Sequence, residues 1–223
     1  MVNNLVIAID GPAGAGKSTV ARLVAARLGL LHIDTGAMYR AVTLAALRRG
    51  IALEDEEAIA ALSRQVRISL RPEAEGLRVF LDGDDVSEAI RSPAVGAGVS
   101  PVAAIAGVRQ ALVEQQRQMA ADGGVVLDGR DIGTYVLPGA DYKFFLTGDV
   151  RVRAERRLRE HLRQGRSVTL GEVLAEVEKR DYIDSHRAMA PLSAAPDAIV
   201  IDTTHLSIHE VVETVLGHCH REA

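Results

Sequence analysis

The chain has 223 residues, 48% of them hydrophobic and 25% charged, which allows one or two domains with a sizeable core and excludes disordered, collagen-like and coiled-coil classes. Lys and Arg number 26 against 30 Asp and Glu, and the resulting net charge of −4 argues against a general binder of nucleic acid polymers or membrane surfaces, so any anion must be bound locally. The lone cysteine, Cys219, cannot close an internal disulfide, which fits a reducing, cytoplasmic setting.

Met1-Val2-Asn3-Asn4 has no basic region, so no signal peptide is expected. Leu5 to Asp10 is a continuous apolar strand that runs into a glycine-rich turn, and Lys17 to Leu28 repeats apolar residues at helical spacing. A short strand follows at Leu31 to Ile33, then helices from about Gly36 to Arg49, closed by Gly50, and from Asp55 to about Gln65. Val66 to Leu70 and Leu77 to Leu81 alternate around a Pro/Glu/Gly turn, and Asp82-Gly83-Asp84-Asp85 is a hairpin signal, so this region reads as a small antiparallel insertion. The uncharged stretch 92–108, with two prolines, is too short and too weakly apolar to span a bilayer. Helical spacing returns from Pro101 to Ala120, and Val125 to Leu127 and Tyr142 to Leu146 read as buried parallel strands. Helices over Val150 to Gln164 and Leu170 to His186, a strand at Ala198 to Ile201 and a helix over Ile208 to Gly217 complete the alternation. The pattern predicts an α/β fold with an open, doubly wound parallel sheet and a small antiparallel β insertion.

Gly11-Pro12-Ala13-Gly14-Ala15-Gly16-Lys17-Ser18, followed by Thr19, satisfies the Walker A pattern between a predicted strand and a predicted helix. Glycines let successive backbone N–H groups curl around one anion, and the helix N-terminus adds its positive dipole end. Lys17 would reach the β and γ phosphates of a nucleoside triphosphate, and the Ser18 hydroxyl would ligate Mg²⁺. The loop leaves the reaction open. Asn-Lys-x-Asp and Leu-Ser-Gly-Gly-Gln motifs are absent, which disfavours a GTPase or a transporter ATPase and leaves a small phosphotransferase. Such an enzyme needs a second anion pocket, and the chain has 23 arginines against 3 lysines to build one.

Four clusters outside the loop combine arginine, carboxylate and hydroxyl groups: Asp34-Thr35-Gly36-Ala37-Met38-Tyr39-Arg40; Ser100 with Arg109; Asp128-Gly129-Arg130-Asp131-Ile132-Gly133; and Arg180-Asp181 with Asp184 and Arg187 ahead of Ala190-Pro191-Leu192. With these runs the sequence closely resembles the bacterial cytidylate kinases, relatives of the adenylate kinases, over nearly its whole length. The resemblance implies transfer of phosphate from ATP to CMP, with dCMP as a second acceptor, Mg²⁺ as cofactor, and a cytoplasmic monomer acting on small nucleotides without nucleic acid or membrane. It also implies a core of residues 1–34, 121–155 and 188–223, an acceptor-binding region over 35–120 with its β insertion at about 66–90, and a lid with its returning helix over 156–187. Within the lid, Gly165 would supply a hinge.

By the same resemblance Thr35, Arg40 and Arg130 hold the acceptor phosphate and Tyr39 lies at the base and sugar. Ser100, Arg109 and Asp131 read cytosine, Arg180 and Asp184 hold the ribose, and Arg187 touches phosphate near the transferred group. Lys17, Arg130 and Arg187 are the expected catalytic residues. Asp128, at a predicted strand end, is the candidate for holding Mg²⁺ through water, beside Ser18. The sequence departs from the family pattern at Pro101, Ile183 and His186. His218-Cys219-His220 is an incomplete ligand set and reads as idle. Two alternatives stay open: a kinase for UMP, AMP or shikimate, against which Arg109 and Asp131 argue, and an ATP-sensing module with a protein partner, against which Lys17, Arg130 and Arg187 argue.

Overall fold

The computed structural model describes residues 4–73 and 76–219. Five parallel strands form the central sheet: β1 (Val6–Asp10), β2 (Leu31–Asp34), β6 (Val125–Asp128), β7 (Tyr142–Thr147) and β8 (Ile199–Asp202), in the order β2-β6-β1-β7-β8. The period-two alternation of β1 serves two cores. Ile7 and Ile9 pack with α1 (Lys17–Leu28) and α8 (Ile208–Cys219) on one face, while Ala8 packs with Ile33, Leu127 and Val113 of α5 (Ala106–Met119) on the other. Helices thus cover both faces, as a doubly wound sheet requires. The register pairs Ile9 and Asp34 with Asp128, so the carboxylates ending β2 and β6 lie side by side at the C-terminal end of the sheet, where ligands bind in open α/β folds.

The helix signals are satisfied locally. Gly16 (φ 91°) caps α1 and Gly29 (φ 68°) closes it, its N–H donating to the Ala25 carbonyl. Asp34 caps α2 (Thr35–Arg48) by accepting from the Ala37 N–H. Asp55 caps α3 (Glu56–Gln65), Asp149 caps α6 (Val150–Arg163), and a Thr169/Glu172 capping box starts α7 (Leu170–His186).

The insertion is present as β3 (Ile68–Glu73), β4 (Gly76–Leu81) and β5 (Asp84–Asp85), antiparallel throughout. Asp82 (φ 53°) and Gly83 (φ 95°) make the two-residue turn that the Asp-Gly pair announces. Arg71 to Glu73 continue the strand in place of the expected turn, and residues 74 and 75 of that turn lie outside the described residues.

The expected helix from Pro101 to Ala120 is instead two helices, α4 (Pro93–Ala104) and α5, meeting at 94° around Ile105. Pro93 starts α4 at a position where a missing N–H does no harm. Val95, Val99 and Val102 are buried, and a Cβ on Gly98 would stand 2.4 Å from Leu53, while the exposed face carries Pro93, Ala94, Ala97 and Pro101, so no polar face marks the start of α4 in sequence. A second feature absent from the sequence reading is a π-helical turn at Ile132–Val136. Among the described residues no single helix is long and apolar enough to cross a membrane.

Candidate active site

The loop after β1 admits little but glycine at two points. Gly11 has φ 143°, and a Cβ there would stand 1.9 Å from the Leu146 carbonyl oxygen; Gly14 has φ 75°, and its Cβ would stand 2.7 Å from the Arg153 carbonyl oxygen. Pro12 and Ala15 complete the turn, and Ala13, Gly14, Gly16, Lys17, Ser18 and Thr19 face the cleft. Lys17 is buried, with Nζ donating to the Pro12 carbonyl at 2.8 Å. Burial, reinforced by the nearby Arg130, pushes its ammonium well below the usual lysine range. An ammonium held on one carbonyl and short of counter-charge is suited to receive phosphate.

Asp128 is the node between strands. Its Oδ2 accepts from the Ser18 hydroxyl at 2.6 Å, its Oδ1 meets His32 Nε2 at 2.7 Å, and its backbone carbonyl accepts from the Thr35 hydroxyl at 2.7 Å. Burial and then the neighbouring Asp128 carboxylate raise Asp34, against which Arg40 acts. The Ser18 hydroxyl and the Asp128 carboxylate are hard oxygen donors at the mouth of the loop, a set that suits Mg²⁺ bound mainly through phosphates and water. Among the described residues no group of three or more His, Cys, Asp or Glu would hold a metal without such help. Cys219 is buried in the α8 core, which pushes its thiol up to about 11, and His218 edges onto Phe144; His220 lies outside the described residues.

The cleft above this floor has a volume of about 1510 Å³. Its lining includes ten arginines and Lys17 against six carboxylates, so the site is strongly cationic in a chain of net charge −4. Arg40 enters from α2, Arg130 from the turn after β6, and Arg180 from α7. Arg130 donates from Nε to Asp184 at 2.7 Å. Arg180 has a buried Nε with no hydrogen-bond partner among the described residues, and burial followed by repulsion from Arg130 pushes it down to about 9.

Behind the cleft Asp131 is clamped between two arginines. Its Oδ2 pairs with Arg109, which is 0% exposed, and its Oδ1 accepts from Arg187 Nη2 at 3.0 Å. Arg187 also donates from Nε to the Ala190 carbonyl at 2.8 Å, and the Arg109 guanidinium lies 5.6 Å over the Tyr39 ring. Tyr39 is raised to about 12, by burial first. Ser100 is half-buried on α4 and, like Tyr39, Arg109, Asp131 and Arg187, does not line the cleft.

Three supporting residues carry no signal in sequence. Arg153 of α6 donates to the Ala13 carbonyl at 2.9 Å, pairs with Asp181 at 2.7 Å and reaches the Gly148 carbonyl at 2.9 Å, which ties the loop to α7. His32 holds Asp128. Asp10 accepts from the Ile132 and Gly133 N–H groups at 2.8 and 2.7 Å and so anchors the π-helical turn that follows Asp131. Burial raises Asp10 to about 6 from an ordinary value of 3.8. Because the folded value is the higher one, Asp10 favours folding at acid pH, and that contribution disappears as pH rises from about 4 to about 6. At about 1.4 kcal/mol per unit, the stability of the wild type relative to Asp10→Asn should fall by about 3 kcal/mol across that window. Urea unfolding of both proteins at several pH values checks this; a constant difference would show that Asp10 does not titrate there.

The model of the family described as cytidylate kinase matches residues 7–221 of the chain. The chain belongs to the cytidylate kinase family. It is 56% identical over 217 residues to a cytidylate kinase of Desulfitobacterium hafniense, covering 97% of this chain and 93% of that one. To a cytidylate kinase of Caldanaerobacter subterraneus it is 55% identical over 216 residues, covering 96% and 95%. Among solved structures, an uncharacterized protein from Eubacterium ventriosum matches with TM-score 0.52 at 14% identity, covering 98% of this chain and 99% of that one. A gluconokinase from Sinorhizobium meliloti matches with TM-score 0.50 at 16% identity, covering 98% and 93%. These two likenesses speak for the fold alone. The family and the doubly wound fold expected from the loop and the arginine runs are therefore both met.

Proposed function

We infer that this cytidylate kinase family member phosphorylates CMP and dCMP with ATP, and that the residues gathered in and behind the arginine-lined cleft carry the reaction. The observation that carries the reading is the juxtaposition, in one cleft, of a triphosphate loop and a second group of cations from three other elements, Arg40, Arg130 and Arg180. An ATP-sensing module has no use for the second group. Both pockets come from one chain, which supports a monomer acting on small nucleotides.

Residues 11–19 would hold the triphosphate, with Ser18 and Asp128 holding Mg²⁺. Bound there, Mg²⁺ would supply positive charge that neutralises part of the charge on the phosphates. Transfer is in line and needs no protein nucleophile, so the chain's contribution is positioning and charge neutralisation. Lys17 leaves the Pro12 carbonyl for the phosphates, while Thr35, Arg40 and Arg130 hold the acceptor phosphate and Arg187 touches phosphate near the transferred group. The lid, residues 156–187, would add Arg156, Arg157, Arg159 and Arg163, which already line the cleft, and exclude water on closing. Residues 1–34, 121–155 and 188–223 serve as the rigid core, and 35–120 as the acceptor side.

The base would sit against Ser100, Arg109 and Asp131, with Tyr39 beside it. An ADP-release assay with ATP and CMP, dCMP, UMP, AMP, GMP or shikimate tests the reading. CMP and dCMP should far exceed the rest, and equal turnover of UMP or AMP would overturn the base assignment.

For the sugar, Arg180 and Asp184 are the proposed partners. Asp184 also holds Arg130, so Asp184→Ala should slow both acceptors by freeing a phosphate-binding arginine. CMP should lose about tenfold more kcat/KM than dCMP, because only CMP offers a 2′-hydroxyl to a charged acceptor. Equal losses would confine Asp184 to supporting Arg130.

A further inference from the structure

We propose that His32 is a positioning residue for the metal–nucleotide complex, fixing through its ring nitrogen the orientation in which Asp128 faces the loop. The proposal rests on the reading of Ser18 and Asp128 as the holders of the metal. His32 stands on β2, lines the cleft beside Ser18, Thr19 and Arg22, and brings Nε2 to 2.7 Å from Asp128 Oδ1. An ionised carboxylate has no hydrogen to give, so the hydrogen in this contact belongs to Nε2.

The last torsion of an aspartate is broad and roughly twofold, so one hydrogen bond leaves the group free to swing. In Asp128 the two oxygens have separate donors, Ser18 at 2.6 Å on Oδ2 and His32 at 2.7 Å on Oδ1, and together they fix the plane. Ser18 is itself a proposed ligand, which leaves His32 as the constraint independent of the metal. Asp34, in register with Asp128 on the adjacent strand, supplies a like charge that would push a freed carboxylate out of place. The His32 and Asp128 side chains are 12% and 4% exposed, so water replaces a lost donor poorly. Partners of this kind outside the ligand set typically change metal affinity by 10- to 100-fold, and a carboxylate acting through water belongs at the lower end.

Three variants test this. His32→Leu removes the donor at similar volume, His32→Asn keeps a polar group too short to reach Oδ1, and His32→Gln carries an amide N–H to about the reach of Nε2. The probe is a fluorescent N-methylanthraniloyl ATP, titrated with Mg²⁺ and with EDTA, beside kcat and the KM for CMP. His32→Leu and His32→Asn should weaken binding in Mg²⁺ and raise the half-saturating Mg²⁺ concentration by about tenfold. Binding in EDTA and the KM for CMP should stay within about twofold, and His32→Gln should recover most of the loss. His32→Asn alone decides the matter should His32→Leu not fold. Equal weakening with and without metal, no weakening, or a His32→Gln variant no better than His32→Asn would overturn the proposal. Absence of any Mg²⁺-dependent tightening in the wild type would instead overturn the metal reading on which it rests.

Discussion

Lys17→Met is expected to lower kcat by about 10³-fold in a protein that still folds, since one preorganised charge aimed at a transition state is worth about 10² to 10³. Lys17 is buried, and its only hydrogen bond among the described residues is to the Pro12 carbonyl, so the free enzyme holds an ammonium that burial disfavours. Its folded value is depressed, so the unfolded chain binds the proton more tightly and the charged form weakens folding near neutral pH. Met has nearly the same length and no charge. It relieves that penalty, while the Pro12 carbonyl loses a donor at about 1 to 3 kcal/mol, so the two changes oppose each other and Tm should move little. Turnover responds differently. The charge already on the phosphates shifts toward the leaving oxygen as the bond to the transferred group breaks, and no other lysine lies near the loop to replace Lys17 there. Circular dichroism and the ADP-release assay on one preparation check both halves, and wild-type kcat in a folded variant would remove Lys17 from the phosphate site.

What is legible in the sequence follows from how local each interaction is. Residues 11–19 are contiguous, and the turn they make is dictated by their own backbone preferences, so loop and strand–helix context can be read directly. The Asp82-Gly83 turn and the helix caps are equally local. The grouping of Asp34, Asp128 and Ser18 depends on β6 inserting between β1 and β2, a pairing that no short window contains. His32 and Arg153 fall in the same class: one is a polar residue on a short strand and the other one of several arginines on α6, and only packing buries them against Asp128 and Ala13. The start of α4 is hidden for the opposite reason. Its exposed face is built of Ala and Pro where a surface helix would carry charge, and a helix without a polar face has no period to read. The roles of Arg109, Asp131 and Arg187 come only through family resemblance, and the structure adds that the three form one buried chain of charge.

That chain sets the terms for Asp131→Asn, for which the ratio of kcat/KM for CMP over UMP should shrink by at least about tenfold. A desolvated carboxylate accepts well from the exocyclic amino group of cytosine. Against uracil O4 it sets acceptor to acceptor, and each buried unpaired polar group costs about 1 to 3 kcal/mol. Asparagine keeps the shape and can turn an amide N–H toward O4, so the discrimination falls mainly through loss on CMP. The structure adds a second effect. Both Asp131 oxygens already accept from arginines, Arg109 fully buried and Arg187 nearly so, and an oxygen with two lone pairs can serve an arginine and a base together. The amide of Asp131→Asn offers one oxygen to two guanidinium groups and no charge to either, which leaves a buried cation short of a partner. Breaking a buried pair costs about 3 to 5 kcal/mol, and the oxygen that the amide retains keeps the loss at or below the lower figure. That penalty belongs to the enzyme and not to the acceptor, so below the melting temperature it scales both substrates alike and cancels in their ratio. The ratio therefore separates base reading from clamp. A lower Tm with a collapsed CMP/UMP ratio gives Asp131 both tasks, whereas a lower Tm with an unchanged ratio leaves it the clamp alone and moves base selection to Ser100 and Arg109.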